Sequence, residues 1–191
     1  MYVPPWRIDV DRRADTPQLL SDAALARVVA RTLGAAGAPS PTAVTLTLTD
    51  DAALAELNAE HLGQAGPTDV LSFPLLPPEA FPQHEGAAPR EGARRRPAPP
   101  TPFPLPPGVR QSLGDIVVSL ERAIEQAEAG RGGQTGDIRW SAADELRLLV
   151  THGTLHLCGW DHAEPPEEAA MRALERRILG GLAPARGGGA A

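Results

Sequence analysis

Residues 152 to 162 read HGTLHLCGWDH, so three of the chain's five histidines fall within eleven positions. Neutral imidazole is the commonest protein ligand for transition metals. On a helix, two histidines at i and i+4 stand one turn apart and about 40° around the axis, so His152 and His156 project from one face. Leu146, Val150, Gly153 and Leu157 form the apolar stripe that would seat this helix on a core. Gly159 follows the pair, where a residue free to adopt positive φ ends a helix and turns the chain back. Such a reversal brings His162 toward the other two. Three imidazoles and one open position describe a catalytic zinc site, so the sequence predicts one zinc ion on His152, His156 and His162. A lone helix-face histidine is more often a satisfied polar residue than a ligand. The full pattern HxxxHxxGxxH puts two ligands, a helix break and a third ligand in step, and chance rarely supplies that. Cys158 lies roughly 240° around the helix from His152 and is expected to be buried filler. His61 and His84 are given no metal role.

The spacing matches the zinc-protease motif HExxHxxGxxH with one exception. Those proteases place a glutamate after the first histidine as general base, and here that residue is Gly153. The metal scaffold is shared; the proton acceptor is not. A zinc hydrolase of peptide or small-molecule bonds is thereby disfavoured.

The surrounding chain must position these residues. Its 191 residues suit a single domain with a genuine core. No run reaches membrane-spanning length, and MYVPPWRIDVDRR lacks a secretory pattern, so the expectation is a cytoplasmic protein with no membrane partner. A single cysteine rules out an intramolecular disulfide. All 18 basic residues are arginine amid abundant Ala, Gly and Pro, a bias that weakens any single arginine as a functional signal. A net charge of −6 argues against holding nucleic acid by bulk electrostatics, although it permits a local basic cleft.

Alternation predicts strands at Arg7 to Val10, Ala43 to Thr49, Asp69 to Phe73 and Leu113 to Leu120. Helical spacing predicts a helix from Asp22 to Leu33, capped by Ser21 and stopped by Gly34. A second helix, capped by Asp50 or Asp51, carries Leu54 and Leu57 and breaks at residues 63 to 67. Further helices are expected over Leu120 to Ala129, Ser141 to about Cys158, and Pro166 to Leu179. The expected fold is therefore α+β: one domain over residues 1–184, a small mixed four-stranded sheet, about five helices and the zinc site on a helix-turn. Residues 185–191 read as a disordered tail.

Twelve of the 21 prolines fall between Pro74 and Pro107, a density that precludes a helix and starves a strand of donors. Residues 77–111 are read as an inserted loop. Arg90, Arg94, Arg95 and Arg96 within it form either a phosphate-contacting arm or a solvated linker, and the linker is the expected reading.

HGTLHLCGWDH resembles the H-G-x-L-H-L-x-G-x-D-H signature of the YbeY family, bacterial ribosomal-RNA maturation factors described as metal-dependent endoribonucleases. LNAEHLGQAGPTDVLSFP from Leu57 and LGDIVVS from Leu113 are similar to further family stretches. The resemblance covers nearly all of the chain outside the insert and the tail, as a single metallo-hydrolase domain. It implies His152, His156 and His162 as zinc ligands. It implies Asn58, Thr68, Asp69, Ser72, Gly114 and Asp115 as residues shaping a substrate cleft, although each also fits an ordinary turn or strand-flank role. Asp161 would orient a ligand imidazole or else hold a turn.

Two positions depart from the relatives. Leu62 stands where they commonly have an arginine, and Arg139-Trp140-Ser141 replaces Gly-His-Ser ahead of the metal helix. Arg139 and Arg147 are candidates to supply the missing guanidinium, and with Asp161 they are the catalytic candidates; the general base is not identified. The implied activity is cleavage of single-stranded RNA in ribosomal RNA maturation, at the 3′ end of the small-subunit 16S RNA. Ribosomal RNA precursor and the assembling small subunit would be the partners. A ribosome-assembly factor that uses zinc without cutting is the remaining alternative.

Overall fold

The computed structural model describes residues 1–13, 16–66, 68–84, 86–87, 106, 109–130 and 141–180. Five strands form one mixed sheet: β1 (Tyr2–Val3), β2 (Trp6–Arg12), β3 (Thr42–Thr49), β4 (Val70–Pro74) and β5 (Gln111–Ser119). Their spatial order is β1-β2-β3-β5-β4. β2, β3 and β5 run parallel, and β1 and β4 are antiparallel edge strands. The sheet thus has five strands where the sequence predicts four. The addition is Tyr2–Val3, which folds back through Pro4-Pro5 to pair with Trp6 and Arg7. A two-residue strand is too short to show alternation, which is why periodicity misses it.

Five α-helices accompany the sheet: α1 (Asp22–Ala35), α2 (Asp51–Leu62), α3 (Leu120–Ala129), α4 (Ala142–Leu157) and α5 (Pro165–Leu179). Ser21, Asp50, Ser119 and Ser141 each accept a backbone N–H of the first turn of α1, α2, α3 and α4. These caps fix where the helices start. The expected stop at Gly34 does not operate, because α1 continues to Ala35 and the left-handed residue is Gly37, at φ 69°. Gly34 instead leaves room for the Trp6 ring, whose Cη2 would lie 3.3 Å from a Cβ placed there.

The main core lies between the sheet and helices α1, α4 and α5, with Ile8, Leu46, Ile116, Leu146, Leu155 and Leu157 fully buried. Leu54, Leu71 and Val117 form a smaller cluster under α2. Successive strand residues face opposite sides. Ile116 therefore supports α4, while Asp115 and Val117 face away from it.

The start of the proline-rich stretch is packed. Pro78–Ala80 forms a 3-10 turn, and Phe81, 4% exposed, sits in the main core. Pro82 lies against Gly37, where a Cβ would come within 2.8 Å of its Cγ. Arg90, Arg94, Arg95, Arg96 and the tail 185–191 lie outside the described residues. No helix among the described residues is long and apolar enough to cross a membrane.

Candidate metal centre

α4 delivers the first two histidines as its spacing requires. Gly153 decides how closely the helix approaches the sheet: a Cβ at this position would stand 2.7 Å from Val70 Cγ2 and 2.9 Å from Ile116 Cγ2. Ser72 Oγ donates to the Gly153 carbonyl over 2.9 Å and ties the edge strand β4 to the helix. After Leu157 the chain turns at Gly159, at φ 79°. The Asp161 carboxylate then accepts the His162 backbone N–H at 2.7 Å, holding the turn that returns His162 to the pair.

One ligand atom from each of His152, His156 and His162 lies within 4.8 Å of the others. His152 Nε2 and His156 Nε2 are 3.0 Å apart. His156 Nδ1 donates to the Trp160 carbonyl at 2.9 Å, and because a carbonyl only accepts, the proton is on Nδ1. Burial first, then the neighbouring His152 and His162, pushes the His156 pKa down to about 4. His156 is therefore neutral at pH 7 and its Nε2 lone pair is bare. His152 Nδ1 meets Glu175 Oε1 from α5 at 2.7 Å. Three convergent imidazoles, two with their far nitrogens already engaged, are a donor set that fits a metal ion of intermediate softness. Cys158 is buried, its thiol pushed up to about 12 by burial, and takes no part.

The histidines open onto a cleft of about 740 Å³ walled by β4 and by the turn from Gly159 to His162. Of the cleft residues suggested by sequence, Thr68, Asp69 and Ser72 line it. Asp69 orders the wall, accepting from Val70 N–H at 2.8 Å and from Gln126 Nε2 at 3.1 Å. Asn58, Gly114 and Asp115 lie elsewhere. Asn58 is buried on α2 and donates to the Gly66 carbonyl at 2.9 Å, holding the loop ahead of β4. Gly114, at φ 135°, would put a Cβ 2.1 Å from the Phe73 carbonyl oxygen, so it serves the close approach of β4 to β5. Arg147 pairs with Asp144 at 2.6 Å and is not part of the cleft wall. Arg139 lies outside the described residues.

Three features escaped the sequence reading. Glu175 occupies a buried position of the α5 stripe formed with Met171, Leu174 and Ile178. A carboxylate in such a stripe was the available signal. His84 stacks on Trp160, rings 4.2 Å apart and 14° from parallel, and so caps the rim of the cleft. Glu145 is 2% exposed with Oε2 lacking a hydrogen-bond partner among the described residues, and burial followed by the charge of Asp69 raises its pKa to about 7.

Fold and site together define an α+β domain with a three-imidazole cluster, able to hold a metal ion, beside the edge strand of a mixed sheet. The chain belongs to the YbeY family: the profile of the family described as Endoribonuclease YbeY matches residues 10–183. A protein of Symbiobacterium thermophilum named Endoribonuclease YbeY is 39% identical over 158 residues, covering 82% of this chain and 83% of its own length. One of the same name from Kineococcus radiotolerans is 40% identical over 116 residues, covering 61% of this chain and 50% of its own. The solution structure of a Thermotoga maritima protein aligns with a TM-score of 0.45 at 21% identity, over 91% of this chain and 89% of that one.

Proposed function

We propose that the protein is a zinc-dependent endoribonuclease that cuts single-stranded RNA. Its substrate on this reading is ribosomal RNA precursor, at the 3′ end of the small-subunit 16S RNA, and it works in the cytoplasm with the assembling small subunit. The observation that supports it most is the convergence of three imidazoles on an open cleft in a chain of this family. The name shared by the relatives, Endoribonuclease YbeY, supports RNA as the substrate class.

Zinc held by His152, His156 and His162 would lend positive charge to a phosphoryl oxygen and bring a water's pKa to about 7, which lessens the need for a separate strong base. The chain's own residues set the geometry. Trp160 O holds the Nδ1 proton of His156, and Asp161 fixes the turn under His162. Ser72 locks the cleft wall to α4, so the reacting group meets a rigid surface. Among the described residues β4 is an edge strand with one backbone side free of a partner strand, and Val70, Leu71, Ser72 and Pro74 from it line the cleft.

Peptide hydrolysis is disfavoured, because position 153 has no room for the glutamate that chemistry uses. A zinc-containing assembly factor that does not cut is the second reading. It is favoured by a described cleft wall with two aspartates, Asp69 and Asp161, and no arginine. Elemental analysis of purified protein, paired with cleavage of a defined precursor RNA with and without chelator, separates the two. Stoichiometric zinc with chelator-sensitive cleavage supports the nuclease; stoichiometric zinc with intact RNA supports the assembly factor.

A further inference from the structure

Of the two α4 histidines, His156 has its tautomer set within its own segment, by the carbonyl of Trp160 four residues on. His152 has no such local partner. What faces its Nδ1 is a carboxylate from another helix, 23 residues further along, at 2.7 Å. Glu175 is 4% exposed, and a glutamate is rarely buried without a specific partner. Its neighbours in the α5 stripe, Met171, Leu174 and Ile178, are apolar, so packing alone would be served by another apolar residue. A small cavity of about 160 Å³ adjoins His152, His162 and Glu175 on the α5 side, so the imidazole is not clamped by contact all round. A ring with free space beside it needs a directional bond to stay in one orientation.

We infer that Glu175 is the positioning residue of the metal centre: its carboxylate accepts the Nδ1 proton of His152 and so fixes the ring with Nε2 facing His156 and His162. The inference rests on the three-histidine metal reading for its purpose, while the geometry it concerns exists without metal. Ligand imidazoles held this way by an outer carboxylate typically lose about 10- to 100-fold in metal affinity when the carboxylate is removed. It follows that the metal centre extends beyond the HxxxHxxGxxH segment, because α5 must dock for His152 to be set.

The test uses the full chain stripped of metal, then titrated with zinc against a chromophoric chelator. Long-range 1H–15N spectra of the metal-free wild type should show the His152 proton on Nδ1. Glu175→Leu, which fits the apolar stripe, should fold with an unreduced Tm, shift His152 toward the Nε2–H tautomer and weaken zinc binding by about 10- to 100-fold. Glu175→Gln, whose amide oxygen can still accept, should fall between. A Glu175→Leu protein with a lower Tm but wild-type tautomer and zinc affinity would make Glu175 merely structural and overturn the inference. Finding the wild-type proton on Nε2 would overturn it even if every variant failed to fold. If the wild type takes no zinc, the metal reading fails by itself, while the tautomer spectra still decide the role of Glu175.

Discussion

His156 is the residue on which the metal reading stands most simply, since its Nδ1 is held by a carbonyl and its Nε2 faces His152 Nε2 at 3.0 Å. His156→Ala should remove stoichiometric zinc and keep most of the helical circular dichroism, because Leu146, Val150 and Leu157 still pack α4. Full zinc occupancy in that variant would disprove the site. Gly153 is the opposite kind of residue, needed for what it lacks. Gly153→Ala should cost about 1–3 kcal/mol through overpacking against Val70 and Ile116, read as a lower urea midpoint. Glu145 makes a pH-dependent contribution. Its folded pKa of about 7 exceeds the ordinary 4.5, so the folded state binds more protons than the unfolded state between those values. This group's contribution to stability therefore falls as pH rises through that window, by on the order of 3 kcal/mol at about 1.4 kcal/mol per pKa unit. Glu145→Gln should gain stability relative to wild type at pH 8 and little at pH 5. Equal differences in urea midpoint at the two pH values would refute the assignment.

At the scale of elements, the proline-rich stretch divides into parts that composition does not separate. Proline density says only that no regular helix or strand can run there. It is silent on whether one aromatic residue within it reaches the core. Phe81 does, and the 3-10 turn before it places Pro78 beside Gly159, with a Cβ on Gly159 falling 3.5 Å from Pro78 Cβ. Residues 78–84 thus brace the turn that returns His162, and the segment treated as an insert from residue 77 includes part of the folded body. Phe81→Ala should destabilise the protein by about 3–5 kcal/mol, a cost typical of a vacated aromatic site. Thermal unfolding of the metal-free protein checks it, and a change within 0.5 °C would return these residues to the loop. Helix ends show the same division. Ser21, and Asp50 as one of two candidates, were legible as caps because capping is a contact within four residues.

For the whole molecule, a metal held by the three histidines would be coupled to the fold, because they join α4 and the turn after it, and Glu175 ties His152 to α5. A ligand that binds the folded state alone stabilises it by RT ln(1 + [L]/Kd), about 2.7 kcal/mol at one hundred times Kd. Removing zinc with a chelator should lower Tm reversibly, and re-addition should restore it. An unchanged Tm across a zinc titration would show that the histidines hold nothing in the folded state. The net charge of −6 belongs to this scale as well. With no arginine in the described cleft wall, RNA binding should show a shallow salt dependence, measured as the slope of log affinity against log salt.

The sequence by itself determined whatever depends on spacing along one element: the shared face of His152 and His156, the reversal at Gly159, the caps of α1 and α2, four of the five strands and the family signature. Helix and strand periods fix side-chain direction from sequence separation alone, so those features need no knowledge of what lies opposite. Only the tertiary structure decided which elements meet. It turned Asp115 away from α4, assigned Gly114 to strand contact, gave Asp69 to Gln126, brought Phe81 into the core and set Glu175 against His152. The residue pairs among them are separated by 23 to 57 positions. They are selected by the packing free energy of the assembled core, to which no local period gives access.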